Sequence, residues 1–466
     1  MLFNSPFYIF LFLPFVFGVY FFLNRYRLIT ASKSWLVFAS IFFYSYWNPI
    51  YLPLILGSMI INYGLGTSLS GDPAFSGKPG VPRRVMLLIG VFLNLALLGY
   101  YKYADFFLVN VNYVTGRNFD LLHLALPLAI SFFTFQQIAY LVDSYEGQTR
   151  EYDFLNYCLF VTFFPQLIAG PIVHHGEMMP QFKRLRNKVL NYQNLSLGLF
   201  IFTMGLFKKV VIADYFAEWA NIGFATPAAL GLVDAWAASL SYALQLYFDF
   251  SGYTDMAIGS AYMFNIVLPL NFNSPYKAVN IQDFWRRWHM TLSRWLRDYL
   301  YIPLGGNRKG PRRTYVNLFL TFFLGGLWHG AGWTFVAWGA LHGAGTSVQK
   351  FWQDKGFCMP KWLGWLATFA FVNFAWVYFR ADSFDNANQM LAAMGGFNGL
   401  DRSGLIKKNI IYLALAGLMV CVFAPNSMEW KERFKPNWKY AIAVALMAVV
   451  AFLHLTRVSE FLYFQF

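Results

Sequence analysis

Charge is scarce in this chain. Only 12% of its 466 residues are Asp, Glu, Lys or Arg, against roughly 25% in soluble domains. A further 58% are hydrophobic and 21% are aromatic. So little charge cannot cover a water-facing surface. A soluble globular protein is excluded, and the apolar runs read as an all-α polytopic membrane protein. Polar intervals of domain size are also lacking, the longest being 271–314, and no repeat period is visible. Residues 1–466 therefore read as one integral-membrane domain. Acid is scarcer than base: 22 Asp and Glu stand against 36 Lys and Arg, a net charge of +14. The basic residues lie between apolar spans, so they read as cytosolic loops facing anionic lipid rather than a nucleic-acid surface. There are three cysteines. Cys158, Cys358 and Cys421 are isolated, which excludes a disulfide framework and a CxxC metal pattern, and no metal site is expected. No Gly-x-Ser-x-Gly elbow supports a serine-nucleophile hydrolase. A basic n-region is missing too: residues 1–24 carry no charge, and Arg25 and Arg27 follow the apolar run. This reads as a retained first span with its C-terminal end in the cytosol.

Apolar segments recur from about 7–23 to 438–455. Several are shorter than the ~20 residues a full span needs, so the expectation is about 10–13 crossings plus re-entrant and interfacial helices. Loops 24–34 and 71–84 are basic and cytosolic. Strict alternation then puts 174–191 outside, yet it carries Lys183, Arg184, Arg186 and Lys188. The basic cluster is the stronger signal. A segment between 104 and 173 is therefore expected not to cross simply, with Pro127 and Pro165 as interruption points.

The stretch 315–349 runs for 35 residues without an acid, lysine or arginine. As one helix it would reach about 52 Å, against a hydrocarbon core of about 30 Å. The break Gly325-Gly326-Leu327-Trp328-His329-Gly330-Ala331-Gly332 divides it into two arms. A first arm over 315–328 would reach about 21 Å, leaving His329 on irregular backbone at membrane depth. That is tolerated only where protein or a water-filled cavity covers it, and an ionisable group there is a functional candidate. Basic intervals flank both ends, which favours a hairpin with His329 near its tip or deep within a re-entrant fold.

The interval 277–313 holds nine Lys and Arg against two Asp, half of the chain's net charge. Within it, 284–299 reads as an amphipathic helix lying in the interface or packed on the bundle. Trp285, Trp288, Leu292, Trp295, Leu296 and Tyr299 share one face, while Arg286, Arg287, Arg294 and Arg297 share the other. His289 falls at the edge of the apolar face. An imidazole is the natural general base for a hydroxyl, so His329 and His289 stand out among the seven histidines. His342 lies in the second arm; His123 and His454 read as packing residues. His174 and His175 are adjacent and do not converge on one ion. Asp249 and Asp255, at the junction of two apolar segments, read as a polar turn at a membrane face or a partner for one of the arginines, with a proton relay or substrate contact as the alternative. The loop 303–313, with Gly305, Gly306, Arg308 and Lys309, could cradle phosphate or press on anionic headgroups.

The run Leu327-Trp328-His329-Gly330-Ala331-Gly332-Trp333 has companions in Phe284-Trp285-Arg286-Arg287-Trp288-His289-Met290-Thr291-Leu292-Ser293 and Tyr301-Ile302-Pro303-Leu304-Gly305-Gly306-Asn307. Together they resemble the membrane-bound O-acyltransferase family. The likeness is strongest to the bacterial branch that O-acetylates alginate and other exported polysaccharides. The stretches 126–136 and 163–172, the opening Phe3-Asn4-Ser5 and the ending 462–466 agree with it. One departure is Ala129, where that branch would carry glycine.

The resemblance implies helices around a central tunnel, with His329 as the catalytic histidine and His289 as a second active-site residue. It implies acetyl-CoA as a cytosolic donor and no bound cofactor. The donor would dock on the basic surface, with Trp328, Trp288, Arg287, Arg294, Arg308 and Lys309 as candidate donor-binding residues. It also implies a bacterial inner-membrane location and extracytoplasmic acetyltransferase partner proteins that complete transfer to sugar. Two other functions are kept open. One is transfer of D-alanine or another acyl group from a carrier protein to a cell-wall polymer, and the other is a non-catalytic membrane transporter.

Overall fold

The computed structural model describes residues 1–70, 81–151, 153–168, 170–400, 403–455 and 461–462. Lys78, Ala169 and the ending 463–466 lie outside the described residues. Among the described residues every regular element is helical. Five helices are long and apolar enough to cross a membrane: Tyr8–Arg25, Pro49–Ser70, Arg83–Thr115, Tyr192–Ala225 and Lys361–Arg380. A pair bent by 49°, Ile410–Phe423 with Ser427–Arg433, makes a sixth if it is one span. The protein is therefore multi-pass. The expectation of about 10–13 crossings counted apolar runs, and two physical effects separate runs from long apolar helices. Some runs break into short pieces, and others, such as Leu232–Met263, carry buried polar side chains along an unbroken helix.

The chain forms two compact units, residues 1–203 with 254–269, and 204–253 with 270–466. In the first unit two of the basic loops meet. Arg25 and Arg27 line one cavity with Leu185 and Lys188, and the Arg83 guanidinium donates to the carbonyls of Leu69 at 2.6 Å and Tyr145 at 2.8 Å. Loop 174–191 thus shares its face with loop 24–34. Alternation fails at 154–173. The helix Phe154–Thr162 has 9 residues, a reach of about 14 Å, and the chain breaks at Phe163 just before Pro165. Its two ends meet again, since His175 Nε2 lies 3.1 Å from Glu151 Oε2. The segment enters and returns at one face. Burial pushes the Glu151 carboxyl up, but hydrogen bonds from His175, the Asp153 N–H and Asn156, with the charge of His175, outweigh it and hold the group below its usual range.

In the second unit the stretch 315–349 is a hairpin. Its arms are Pro311–His329 and Trp333–Asp354. They run antiparallel with no side chain between them at the crossing: a Cβ placed on Gly326 would fall 2.7 Å from Gly339 Cα, and one on Gly343 would fall 2.8 Å from the Phe319 carbonyl. Ser347 Oγ donates to the Tyr315 carbonyl at 3.1 Å and the Tyr315 hydroxyl to Asp354 at 2.9 Å, which closes the open end. That end carries Arg312, Arg313, Lys350 and Lys355, so the tip at 330–332 points away from the basic side.

Ala129 caps the helix Ile130–Tyr145 in left-handed backbone, with φ 59°. Such a conformation costs a residue with a Cβ about 1–2 kcal/mol and glycine nothing. Ala129→Gly should therefore stabilise the protein by about 1 kcal/mol, read as a higher thermal midpoint in detergent. A midpoint that stays or falls would remove this account of the position. The shared basic face is checked by cysteine substitution in a cysteine-free background. Arg27→Cys and Arg186→Cys should react with an impermeant maleimide from one side of the membrane, and Arg117→Cys from the other.

Candidate active site

His329 ends the first arm of the hairpin, buried at 5% exposure. The first arm starts at Pro311 rather than 315, so 19 residues precede the tip, about 28 Å of helix instead of about 21 Å. This puts His329 far from the basic end. Gly330 and Gly332 carry the turn in extended backbone. The imidazole is enclosed edge-on by rings, with Trp328 at 4.9 Å, Trp338 at 5.0 Å and Phe379 at 5.3 Å between centroids. Trp338 continues to His342 at 4.7 Å. Trp285 Nε1 donates to His342 Nδ1 at 3.2 Å. Two imidazoles and one indole therefore follow one another along the hairpin.

His289 does not sit at the edge of a continuous interfacial helix. The segment 284–299 is broken into the helices Ile281–Arg287 and Met290–Leu296, and His289 is the break, with φ 43°. Its side chain is fully buried. The reason is Asn271. Its side-chain oxygen accepts from the Thr291 N–H at 3.2 Å and the Thr291 hydroxyl at 2.9 Å, and its carbonyl accepts from the Met290 N–H at 2.9 Å. That oxygen is thereby an acceptor, so His289 Nδ1, 3.1 Å away, is the donor. In the neutral ring the lone pair then belongs to Nε2. The ring packs edge-on against Phe250 at 4.8 Å, about 27 Å of helix from Leu232. The amphipathic faces hold: Trp285, Trp288, Leu292, Trp295 and Leu296 are buried, while Arg286 and Arg297 are exposed.

The two predicted histidines are joined through aromatic rings. Phe272 lies 6.5 Å from His289 and 5.1 Å from Trp288. Trp288 lies 5.1 Å from Trp376, Trp376 lies 5.3 Å from Phe379, and Phe379 touches His329. Trp328 and Trp288 thus belong to this cluster. Arg287 pairs with Asp283 at 2.8 Å and Arg294 is half-buried. Arg308 and Lys309 are exposed on a loop held by Asn317, whose amide donates to the Gly306 carbonyl at 2.8 Å, so they do not line the aromatic cluster. A cavity of about 420 Å³ opens beside Lys361 and Gln349. Its inner wall includes Phe371, edge-on to His342 at 5.4 Å.

Asp249 and Asp255 are not on a turn. Both lie within one 32-residue helix, Leu232–Met263, because nothing between them breaks the backbone ladder. Asp249 receives the Lys209 ammonium at 2.7 Å and the Leu462 N–H at 2.9 Å, and Lys209 also reaches Asp214 at 2.8 Å. Sequence reading passed over Lys209, although a lysine inside an apolar run is itself a signal. It also missed Asn271, Trp338, Trp376 and Phe379, which no motif spacing singles out. Among the described residues no group of three or more His, Cys, Asp or Glu could hold a metal ion.

The second unit thus buries three imidazoles, those of His289, His329 and His342, in a multi-pass helical protein. Residues 142–383, which hold all three of these histidines, match the model of the membrane-bound O-acyltransferase family, and the chain belongs to that family. It is an O-acyltransferase. Over the whole chain it is 47% identical to the peptidoglycan O-acetyltransferase of Helicobacter pylori, covering 98% of that protein. It is 37% identical to the probable alginate O-acetylase of Pseudomonas putida, each chain covered in full. The teichoic acid D-alanyltransferase of Bacillus subtilis is 29% identical over 55% of this chain and 69% of its own.

Replacing Asn271 by alanine strips the Thr291 hydroxyl and amide and His289 Nδ1 of a shared acceptor. A buried group left unsatisfied costs about 1–3 kcal/mol. Asn271→Ala should lower the thermal midpoint accordingly, and an unchanged midpoint would sink this account of how His289 is held.

Proposed function

We propose that the protein takes an acetyl group from cytosolic acetyl-CoA and delivers it through the membrane for O-acetylation of a cell-envelope polysaccharide. The observation that carries this reading is the line of rings from the cavity beside Lys361, past His342 and Trp338, to His329 at the hairpin tip. The donor thioester approaches from the basic side. His329 takes the proton of an acceptor hydroxyl, whose oxygen bonds to the acetyl carbon as the carbon–sulfur bond breaks. The proton then passes to the leaving coenzyme A thiolate. His289, held by Asn271, is the second polar group of the site, binding or orienting the reacting atoms. Trp328, Trp288, Arg287 and Arg294 shape the donor's path. The outward positions of Arg308 and Lys309 suit a first encounter with the donor's phosphates.

The acceptor hydroxyl belongs to an envelope glycan or to an extracytoplasmic partner protein that passes the acetyl group on. The inner membrane of a bacterium is where a cytosolic thioester and an exported glycan meet. The names of the relatives, a peptidoglycan O-acetyltransferase and a probable alginate O-acetylase, point to the two glycan classes to examine first.

Purified protein mixed with acetyl-CoA should release coenzyme A, read with a thiol reagent. His329→Ala should lower the rate by about 10²–10⁴-fold, the usual worth of a positioned acid–base group. Equal rates for wild type and variant would overturn the assignment of His329. Release from a D-alanyl carrier thioester instead of acetyl-CoA would move the donor to the carrier class. Loss of O-acetyl groups from purified peptidoglycan or exopolysaccharide after gene deletion, read by mass spectrometry, identifies the glycan.

A further inference from the structure

A cavity of about 940 Å³ in the first unit plays no part in the proposed chemistry. Its walls are the end of the first span and the basic loop after 184. Phe21, Phe22, Asn24, Arg25, Arg27 and Ile29 form one wall, and Leu185, Lys188, Val189 and Leu190 the other. Both walls are held in place. Asn24 donates to the Tyr20 carbonyl at 2.9 Å and accepts from Ser32 at 3.0 Å. Asn265 donates to the carbonyls of Asn187 and Val189 at 3.0 and 2.9 Å. Arg27 turns into the cavity wall through left-handed backbone, φ 59°, a conformation that a non-glycine residue adopts only when its surroundings hold it there.

The lining combines two chemistries. Arg25, Arg27 and Lys188 bring three positive charges, and no carboxylate lines the cavity. Among the described residues none of the three side chains makes an ion pair or hydrogen bond. Beside them Phe22, Leu185 and Val189 are 59%, 71% and 67% exposed. Three uncompensated cations call for an anion. The exposed apolar side chains call for hydrocarbon. Inorganic phosphate would leave the apolar wall in water. A zwitterionic choline headgroup would bring its own cation against the three arginine and lysine charges.

We propose that this cavity binds an anionic phospholipid of the leaflet on the basic side, with its phosphate between Arg25, Arg27 and Lys188 and its acyl chains along Phe22, Leu185 and Val189. The lipid ties the end of the first span to the 185–190 loop. This site is independent of the acyl-transfer reading.

The test uses the full-length protein reconstituted in nanodiscs of mixed phosphatidylcholine and phosphatidylglycerol, then released into detergent for native mass spectrometry. Wild type should retain one phosphatidylglycerol in preference to phosphatidylcholine. The variant Arg25→Gln/Arg27→Gln/Lys188→Gln should retain it roughly a hundredfold less, since each cation near an anionic headgroup contributes about fivefold. Arg84→Gln, an exposed cation that does not line the cavity, should behave as wild type. If the triple variant does not fold, Lys188→Gln alone is read in the same way, with about a fivefold loss expected. Equal retention by wild type and variant, equal retention of phosphatidylcholine, or displacement of the lipid by millimolar inorganic phosphate would each overturn the proposal.

Discussion

Gly326 and Gly339 meet with no room for a side chain between them, and much of the candidate site depends on that closeness. Two arms that touch backbone to backbone leave their larger side chains to project sideways, where Trp328, Trp338 and His342 form a continuous column with His329. Small residues at such crossings are how helices associate where solvent supplies no hydrophobic drive. The same device recurs away from the site. A Cβ on Gly198 would fall 2.6 Å from the Gly259 carbonyl in the first unit, and one on Gly252 2.7 Å from the Gly205 carbonyl in the second.

Within such close packing an unpaired buried polar group is costly, because lipid offers no partner, and several are paired side chain to side chain. The pairs are specific. Asn62 and Asn94 exchange hydrogen bonds at 3.3 and 2.6 Å, and Gln137 bridges Ser58 at 3.1 Å and the Tyr157 hydroxyl at 3.1 Å. Lys209 holds two carboxylates. Asn271 does the same for His289, and in doing so it selects the tautomer that leaves Nε2 as the basic nitrogen. The aromatic cluster supplies the complementary condition. Rings surround His289, His329 and His342, which are all buried, so water has little access to a group held among them.

Family membership joins these physical facts to chemistry. The family match spans 142–383, which includes His289, His329 and His342 but ends before the helices Ile410–Phe423 and Trp438–His454. It also begins after the first span, so the cavity lined by Arg25, Arg27 and Lys188 draws one wall from outside the matched region. Its other wall, Leu185 to Leu190, lies inside the match.

Composition alone established a helical membrane protein, because 12% charge cannot clothe a soluble surface. The uncharged stretch 315–349 with its glycine break was enough to read a hairpin and to single out His329. The basic loops were enough to expect an interruption somewhere between 104 and 173, and the chain breaks at Phe163, just before Pro165. Three things waited for the tertiary structure. The break at His289 is set by Asn271, eighteen residues away, and amphipathic periodicity runs straight through it. Asp249 and Asp255 looked like a turn because local polarity resembles one, while Lys209 on another segment stabilises Asp249 within an unbroken helix. The exposure of Arg308 and Lys309 follows from how Asn317 holds their loop. In each case the deciding partner is distant in sequence, and periodicity and composition report only on neighbours along the chain.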